Sequence, residues 1–451
     1  MIRATPMYFL LLLVVAIVLL ILATNRLNLH PFLALLFVAI GYGLLAGMPL
    51  ALVASSLSEG FGSTVGRIGI LIVAGTIIGT FLERSGGAFA LAERMIRAIG
   101  ECRVPLAMAL IGWLVSIPVF ADSGFVILAP LNRALSRRAG LSLASTAIAL
   151  CLGLMATHCL VPPTPGPVAG AAILKADLGL VILAGLPVSL FTALVAWLWA
   201  TRVAARVYID PLCSTTEREL GDGAGQAPHP LRAILPILAP ILLIVLKSVA
   251  QLPSAPIGHG FVQRLFMFIG EPAIALLVGV LLAFLLPRRL TAEMVSPSGW
   301  VGKGMVNAAI IILITGAGGS FGKVLESSGI GEIIGARLAD AHLGIWLPFL
   351  LAAALKTAQG SSTVAIITTA SLLSPLMASL GFDGALARTF VVLTIGAGSM
   401  VASHVNDSYF WVVTQMSDMD VPTGYRLHTF GSVVIGTATG LLIWVMSFFA
   451  F

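Results

Sequence analysis

Apolar runs dominate the chain and recur at lengths that suit a lipid bilayer. Runs at about 7–24, 29–47, 64–83, 142–160, 178–201, 231–250, 266–287, 302–322, 384–403 and 426–450 approach the roughly 20 residues that a helix needs to cross about 30 Å of hydrocarbon. Two stretches depart from this pattern. Residues 104–139 and 343–380 each hold an apolar half, a small polar break and a second apolar half, the breaks reading Ala121-Asp122-Ser123-Gly124 and Thr357-Ala358-Gln359-Gly360-Ser361-Ser362. Polar backbone at membrane depth is tolerated only against protein or a water-filled cavity. Each stretch is therefore expected to be a re-entrant hairpin, the alternative being two ordinary spans joined by a short loop. A third break carries Pro162, Pro163, Pro165 and Pro167 around Thr164 and Gly166, which cannot continue a hydrogen-bonded helix. A fourth, Ser403-His404-Val405-Asn406-Asp407-Ser408, is polar among apolar neighbours. The pattern predicts an all-α polytopic membrane protein with about 10–12 transmembrane helices, two re-entrant hairpins and unwound breaks near the midplane.

The chain also repeats itself. Leu82-Glu83-Arg84-Ser85-Gly86 recurs as Leu325-Glu326-Ser327-Ser328-Gly329, and Gly75 and Gly79 recur as Gly318 and Gly322, all at an offset of 243. Ala156-Thr157-His158 answers Ala402-Ser403-His404 at an offset of 246. Both copies precede an amphipathic segment and a broken hairpin, so the match lies in a shared order of elements. The expected organisation is an N-terminal half, 1–203, with its repeat at about 64–203, a cytoplasmic linker at 204–230, and a C-terminal half, 231–451, with its repeat at about 302–451.

Composition sharpens this picture. With 59% hydrophobic and 10% charged residues, a water-solvated globule of 451 residues would expose large apolar patches, so the partner of most of the surface is the lipid bilayer. The net charge of +6 does not point to nucleic acid, because the basic residues are scattered through short inter-helix segments. Positive-inside topology accounts for them: the hairpin reading puts sixteen basic residues, among them Arg84, Arg133, Arg202, Arg288 and Lys303, on the cytoplasmic side. Six are counted outside, Lys175 and Lys323 among them. The expected location is a bacterial inner membrane; the same count places both termini on the periplasmic side and makes the two repeats inverted, the arrangement that gives a carrier two equivalent end states. The first run has about 18 residues and no small-residue cleavage site, so it is kept as a helix. Cys102, Cys151, Cys159 and Cys213 form no CxxC pair and read as small hydrophobes.

Ionisable groups inside a membrane cost several kcal/mol unless paired or hydrated, so each is a candidate for function. Asp122, His158, Lys356, His404 and Asp407 stand within or beside the four breaks. Half-helix N-termini at such breaks present free N–H groups, which suits an anionic ligand. Ser123, Gly124, Gln359, Gly360, Ser361, Ser362, Thr363, Asn406 and Ser408 add neutral donors, acceptors and close backbone, a set suited to a carboxylate with several hydroxyls. Lys356 would supply the fixed positive charge. Structural readings stand beside these: the histidines as packing groups, the aspartates as helix caps, Lys356 as a snorkelling side chain. No third ligand at metal spacing accompanies the histidines, and no metal or cofactor is expected. Gly316-Ala317-Gly318-Gly319-Ser320-Phe321-Gly322 lacks a preceding strand and a following Gly-Lys-Ser/Thr, so it reads as helix packing and not as a nucleotide loop. Neither HExxH nor GxSxG occurs with these groups, which argues against an enzyme.

The segments Ile117-Pro118-Val119-Phe120-Ala121-Asp122-Ser123-Gly124-Phe125-Val126, His158-Cys159-Leu160-Val161-Pro162-Pro163-Thr164-Pro165-Gly166-Pro167, Gln359-Gly360-Ser361-Ser362-Thr363-Val364-Ala365 and Ser403-His404-Val405-Asn406-Asp407-Ser408-Tyr409-Phe410-Trp411 resemble the gluconate permease family of proton symporters, part of the ion-transporter superfamily. The resemblance runs over nearly the whole chain. It implies uptake of gluconate or a related sugar acid with H+ as the coupling ion; some relatives carry D-serine, and related carriers often form homodimers. The family often has His at Thr164, Arg at Lys356 and Gly at Tyr409, and a tryptophan near 424–429, so the departures bear on substrate more than on fold. Moving a monoanion against a negative-inside potential costs about 2.3 kcal/mol per 100 mV, so uptake needs a coupling cation. Asp122 and Asp407, then His158 and His404, are the candidate proton acceptors. A sodium-coupled carrier with Ser361, Ser362 and Thr363 at its ion site is the alternative, and a passive channel or receptor a remote one.

Overall fold

The computed structural model describes residues 6–27, 29–100, 103–211, 227–250, 260–330, 343–405 and 407–448. Among the described residues the chain is helical and no strand occurs. The first half contains α1 (Pro6–Asn25), α2 (Pro31–Leu45), α3 (Leu50–Arg84), α4 (Gly87–Ile99), α5 (Val104–Val115), α6 (Ala121–Arg138), α7 (Leu143–Leu160), α8 (Pro165–Ile173) and α9 (Leu178–Arg202). The second contains α10 (Pro230–Ala250), α11 (Phe261–Ile269), α12 (Pro272–Ala283), α13 (Ala292–Val295), α14 (Trp300–Ser327), α15 (Trp346–Gln359), α16 (Ser362–Leu373), α17 (Ala385–Gly398), α18 (Ser408–Met416), α19 (Val421–Gly424) and α20 (Phe430–Ser447). Most of the linker expected at 204–230, together with Cys102, Cys213 and Asn406, lies outside the described residues.

Six described helical segments are long and apolar enough to cross a membrane, or seven if the bent pair α11–α12 is one span. Shorter apolar helices at Met7–Ala23, Pro31–Leu45, Val104–Val115, Ser362–Leu376 and Ala385–Gly398 accompany them. The chain is thus a multi-pass membrane protein in which many spans are interrupted. The run at 266–287, expected as one span, bends by 70° at Gly270 and Glu271 because Pro272 starts a new helix. At the centre, 94% of the apolar window of Leu143–Ile173 is buried, against 33% for Pro230–Lys247, so α7 and α8 are the core and α10 the periphery.

The breaks are tighter than the polar residues suggest. Ala121-Asp122-Ser123-Gly124 is not the gap in the first hairpin: it forms the first turn of α6, and the gap runs from Ser116 to Phe120 around Pro118. An acidic side chain is favoured at a helix N-terminus, so Asp122 starts the helix where it was expected to interrupt one. In the second hairpin only Gly360 and Ser361 separate α15 from α16; Gly360 has φ +78°, and Ser361 Oγ accepts the Val364 N–H at 3.3 Å. Val161–Thr164 separates α7 from α8, and Ser399–Asp407 separates α17 from α18.

The sequence repeat has a structural counterpart. Arg84 ends α3 and Ser327 ends α14, each followed one residue beyond its cap by a glycine in the left-handed region, Gly86 at φ +74° and Gly329 at φ +76°. Helix α8 spans 165–173 and α18 spans 408–416, while α9 begins at Leu178 and α19 at Val421. Every one of these boundaries recurs at an offset of 243. The amphipathic segment after the first copy is α4; its counterpart falls on 331–342, outside the described residues. Helices α3 and α14 pack antiparallel and very close: a Cβ on Gly60 would lie 2.8 Å from Ser320 Cα, and one on Gly304 would lie 3.0 Å from Ile77 Cα.

Candidate functional site

The start of α18 carries the most concentrated charge in the described interior. Asp407 caps this helix, its Oδ1 accepting the Tyr409 N–H at 3.0 Å. Its Oδ2 accepts from Lys356 Nζ at 2.5 Å and from Ser403 Oγ at 2.5 Å. Lys356, in the last turn of α15, also donates to Gly360 O at 2.7 Å, so one ammonium joins the hairpin tip to the broken helix. Lys356 is 1% and Asp407 6% exposed. A lysine that snorkelled would not be this deeply enclosed. Ions buried so far are stable only with several hydrogen bonds, and removal of one partner strands the other.

Four helices begin around this pair. Ser408 Oγ donates to Asp122 Oδ2 at 3.1 Å, which joins the start of α18 to the start of α6. Helix α16 starts just beyond the carbonyl that Lys356 holds. A Cβ on Gly166 would lie 3.6 Å from Thr363 Cα and 2.9 Å from Ile366 Cδ1, which brings α8 onto α16. Pro165 occupies the first turn of α8, where its missing N–H costs no hydrogen bond, while Pro162 and Pro163 lie in the preceding gap. Pro167 lies in the same first turn. The starts of α6, α8, α16 and α18 therefore present free N–H groups to one region.

The remaining candidates divide into two groups. His158 Nδ1 and Gln359 Oε1 are buried without a protein partner, polar atoms left available to a ligand. His158 also faces the Phe120 ring at 6.1 Å. By contrast, His404 Nε2 donates to Thr357 O at 2.8 Å and its ring stacks on Tyr425, so it anchors the end of α15. Ser361 is spent as a cap, Ser362 lies with Ser399 at the Cys159 thiol, and Gly124 packs against Leu154. Among the described residues no three His, Cys, Asp or Glu side chains group as a metal site.

Ser123 lines a cavity of about 390 Å³ together with Thr80, Glu83, Arg84, Lys303 and Asn307. A second cavity, of about 440 Å³, is lined by Glu59, Thr64, Lys175, Gly322, Lys323 and Glu326. The two lie at opposite ends of the α3–α14 pair and are built from repeat-related positions: Thr64 answers Asn307, Thr80 answers Lys323 and Glu83 answers Glu326 at the offset of 243.

Behind Asp407 runs a polar chain that the sequence reading did not select. Ser403 Oγ lies 2.9 Å from His428 Nε2, His428 Nδ1 lies 3.5 Å from Cys151 Sγ, and Tyr409 OH donates to Cys151 O at 2.8 Å. His428 sits on a π turn, Tyr425–Thr429, just before α20, and Thr429 Oγ1 donates to Ser403 O at 2.6 Å. Its place near the start of the run 426–450 gives His428 the look of an interfacial residue. The signal that would have found it is the rule already applied to His158: an ionisable side chain inside an apolar run.

A family model described as "GntP family permease" matches residues 8–449. A gluconate permease of Pseudomonas aeruginosa is 36% identical over 98% of each chain, and one of Zymomonas mobilis is 34% identical over 95% of each. The Gnt-II system L-idonate transporter of Escherichia coli is 31% identical over 95% of this chain and 96% of its own. Among solved structures, the YdaH transporter of Alcanivorax borkumensis, described as having an unusual topology, superposes with a TM-score of 0.61 at 17% identity, covering 94% of this chain and 99% of its own. Neisseria gonorrhoeae MtrF gives 0.67 at 14% identity over 94% and 96%. At these identities the two structures speak to the fold alone.

Proposed function

The chain belongs to the GntP permease family, and we propose that it imports gluconate or a related small hydroxylated monocarboxylate together with H+ by alternating access between two inverted repeats. The observation that carries this reading is the buried Lys356–Asp407 pair among four helix starts. With Asp407 ionised and Lys356 protonated, the pair is electrically neutral when no substrate is bound. A proton on Asp407 releases Lys356, whose ammonium then pairs with the substrate carboxylate, and the loaded site is neutral again. A site carrying only the anion or only the proton keeps a net charge, whose transfer through a low-dielectric barrier is costly. Charge balance alone thus ties one proton to one anion.

His158, Gln359 and the backbone N–H groups at the starts of α6, α8 and α16 are suited to the sugar-acid hydroxyls, and Asp122 to orienting Ser408 toward them. The L-idonate carrier among the relatives supports the sugar acids as the substrate class. The antiparallel packing of α3 on α14 and the repeat-related cavities at their two ends support the inverted repeat, with the linker at 204–230 between the halves. A bacterial inner membrane, with periplasmic termini and a homodimeric assembly, completes the reading.

Uptake of labelled gluconate into proteoliposomes under an imposed inward proton gradient tests it, with a sodium gradient as control and L-idonate and D-serine as competitors. Proton-driven, sodium-independent accumulation is the expected result. Accumulation with sodium alone would assign the coupling to that ion, and no accumulation under either gradient would defeat symport.

A further inference from the structure

Charge exchange at Lys356 and Asp407 leaves the buried chain behind them without a role. His428 is fully buried, and polar or titratable groups face it from three elements. From α7 comes the Cys151 thiol, 3.5 Å from Nδ1. From α18 comes the Tyr409 ring, its centroid 5.6 Å away. From the unwound segment comes Ser403 Oγ, 2.9 Å from Nε2, with Asp407 and Lys356 beyond it.

Cys151 has one thiol proton, and its sulfur lies nearer to Ile148 O, at 3.3 Å, than to Nδ1. In the tautomer that leaves that proton on Ile148 O, Nδ1–H faces the sulfur and Nε2 is an acceptor. Ser403, with one hydroxyl proton, then faces two acceptors whenever Asp407 is ionised: Oδ2 at 2.5 Å and Nε2 at 2.9 Å. Lys356 also donates to Oδ2, but an oxygen–oxygen contact of 2.5 Å needs the Ser403 proton between the two atoms, so Nε2 is the acceptor left without a donor. A single added proton completes the chain in two ways. Either Asp407 is a carboxylic acid donating to Ser403 Oγ while Ser403 donates to Nε2, or Ser403 donates to Oδ2 while an imidazolium Nε2–H donates to Ser403 Oγ. The two forms interconvert by one proton shift across each hydrogen bond.

We propose that His428 is the inner store of the coupling proton, exchanging it with Asp407 through Ser403. The proposal rests on the proton-symport reading above. A proton at Asp407 frees Lys356 for the anion; the same proton at His428 restores the ion pair. With two alternative places for one proton, the chain holds it more tightly than Asp407 alone would.

Two measurements on full-length wild type, His428→Gln and Ser403→Ala test this. The first is the external-pH profile of proton-driven gluconate uptake, with gluconate counterflow as a control that needs no net proton release. The half-maximal pH should move to acid by about one unit or more in both variants, with counterflow reduced less than about threefold. A profile unmoved in both variants overturns the proposal, as does an equal loss of uptake and counterflow at every pH, which would mark a packing role. The second is the protonated-carboxyl infrared band of the purified protein, followed as pH is lowered without transport. Its midpoint should differ between wild type and His428→Gln by about one unit; an identical midpoint overturns the proposal whether or not gluconate is the substrate. Wild-type uptake that ignores the proton gradient, with the band behaving as expected, would defeat the symport reading and leave the proton store standing.

Discussion

The two repeats share helix boundaries but not chemistry. At the offset of 243, Lys356 answers to Trp113 and Asp407 to Thr164. Trp113 donates its ring N–H to Ser189 Oγ at 2.9 Å and accepts the Thr157 hydroxyl on its carbonyl at 2.7 Å, while Thr164 Oγ1 donates to Val161 O at 2.5 Å. These are neutral groups satisfied close to home. The second repeat places a cation and an anion at the same two positions and surrounds them with Ser403, Gly360 and the Tyr409 N–H. The helix boundaries are shared, while the buried ion pair stands in the second repeat alone among the described residues.

The largest effect is expected from breaking the charged pair from one side. Lys356→Met leaves a carboxylate buried without its ion, which should cost about 3–5 kcal/mol of stability and all proton-driven uptake. The double variant Lys356→Met/Asp407→Leu should regain most of the lost melting temperature in detergent but none of the transport. Recovery of transport by the apolar pair would remove both residues from the mechanism. Asp407→Asn should likewise abolish accumulation, and because one amide oxygen cannot replace both carboxylate oxygens and Lys356 loses its counter-ion, its stability should fall toward that of Lys356→Met.

Asp122→Asn should act less severely. Asp122 belongs to the first repeat but reaches the charged site only through Ser408, at 3.1 Å. Uptake should fall by about tenfold, the scale of one charge-assisted hydrogen bond, and gluconate counterflow should fall with it. Loss of accumulation with counterflow intact would instead make Asp122 a proton carrier, and the chemistry would no longer be confined to the second repeat.

How far the sequence displayed this arrangement depended on what each signal measures. Hydropathy found α3, α7 and α14, because a long apolar run has few other uses. It placed the first hairpin's break at 121–124, just after the gap at 116–120, since Asp122 looks like an interruption but serves as a helix start. The cost of buried charge singled out Lys356 and Asp407, and the structure joins them. The same rule picked His404, which turned out to anchor a carbonyl, and passed over His428 at the edge of its run. Pairing is a property of three-dimensional proximity: 51 residues separate Lys356 from Asp407, and only the folded hairpin and the unwound segment bring them together.

Equivalent helix ends offer a smaller test. Gly86 and Gly329 both adopt φ near +75° after repeat-related caps. Gly86→Ala and Gly329→Ala should each cost about 1 kcal/mol, and by similar amounts, read as matched falls in thermal stability. A large difference between them would show that the helix ends carry different loads despite identical geometry.

The smallest effect should come from Thr164→Val, and its smallness is what gives it force. Thr164 occupies the position of Asp407 in the first repeat, and its hydroxyl makes one neutral bond to Val161 O. Valine keeps the shape and forfeits that bond, which should cost about 0.5–1.5 kcal/mol of stability and leave proton-driven gluconate uptake within about twofold of wild type. Set against the complete loss expected for Asp407→Asn, a mild phenotype at Thr164 would show that repeat-related positions have separated into a structural member and a chemical one. A loss of uptake at Thr164→Val as deep as that at Asp407 would mean that the unwound segment of the first repeat also touches the substrate or the proton, and that the asymmetry of charge understates the share of work done by the first repeat.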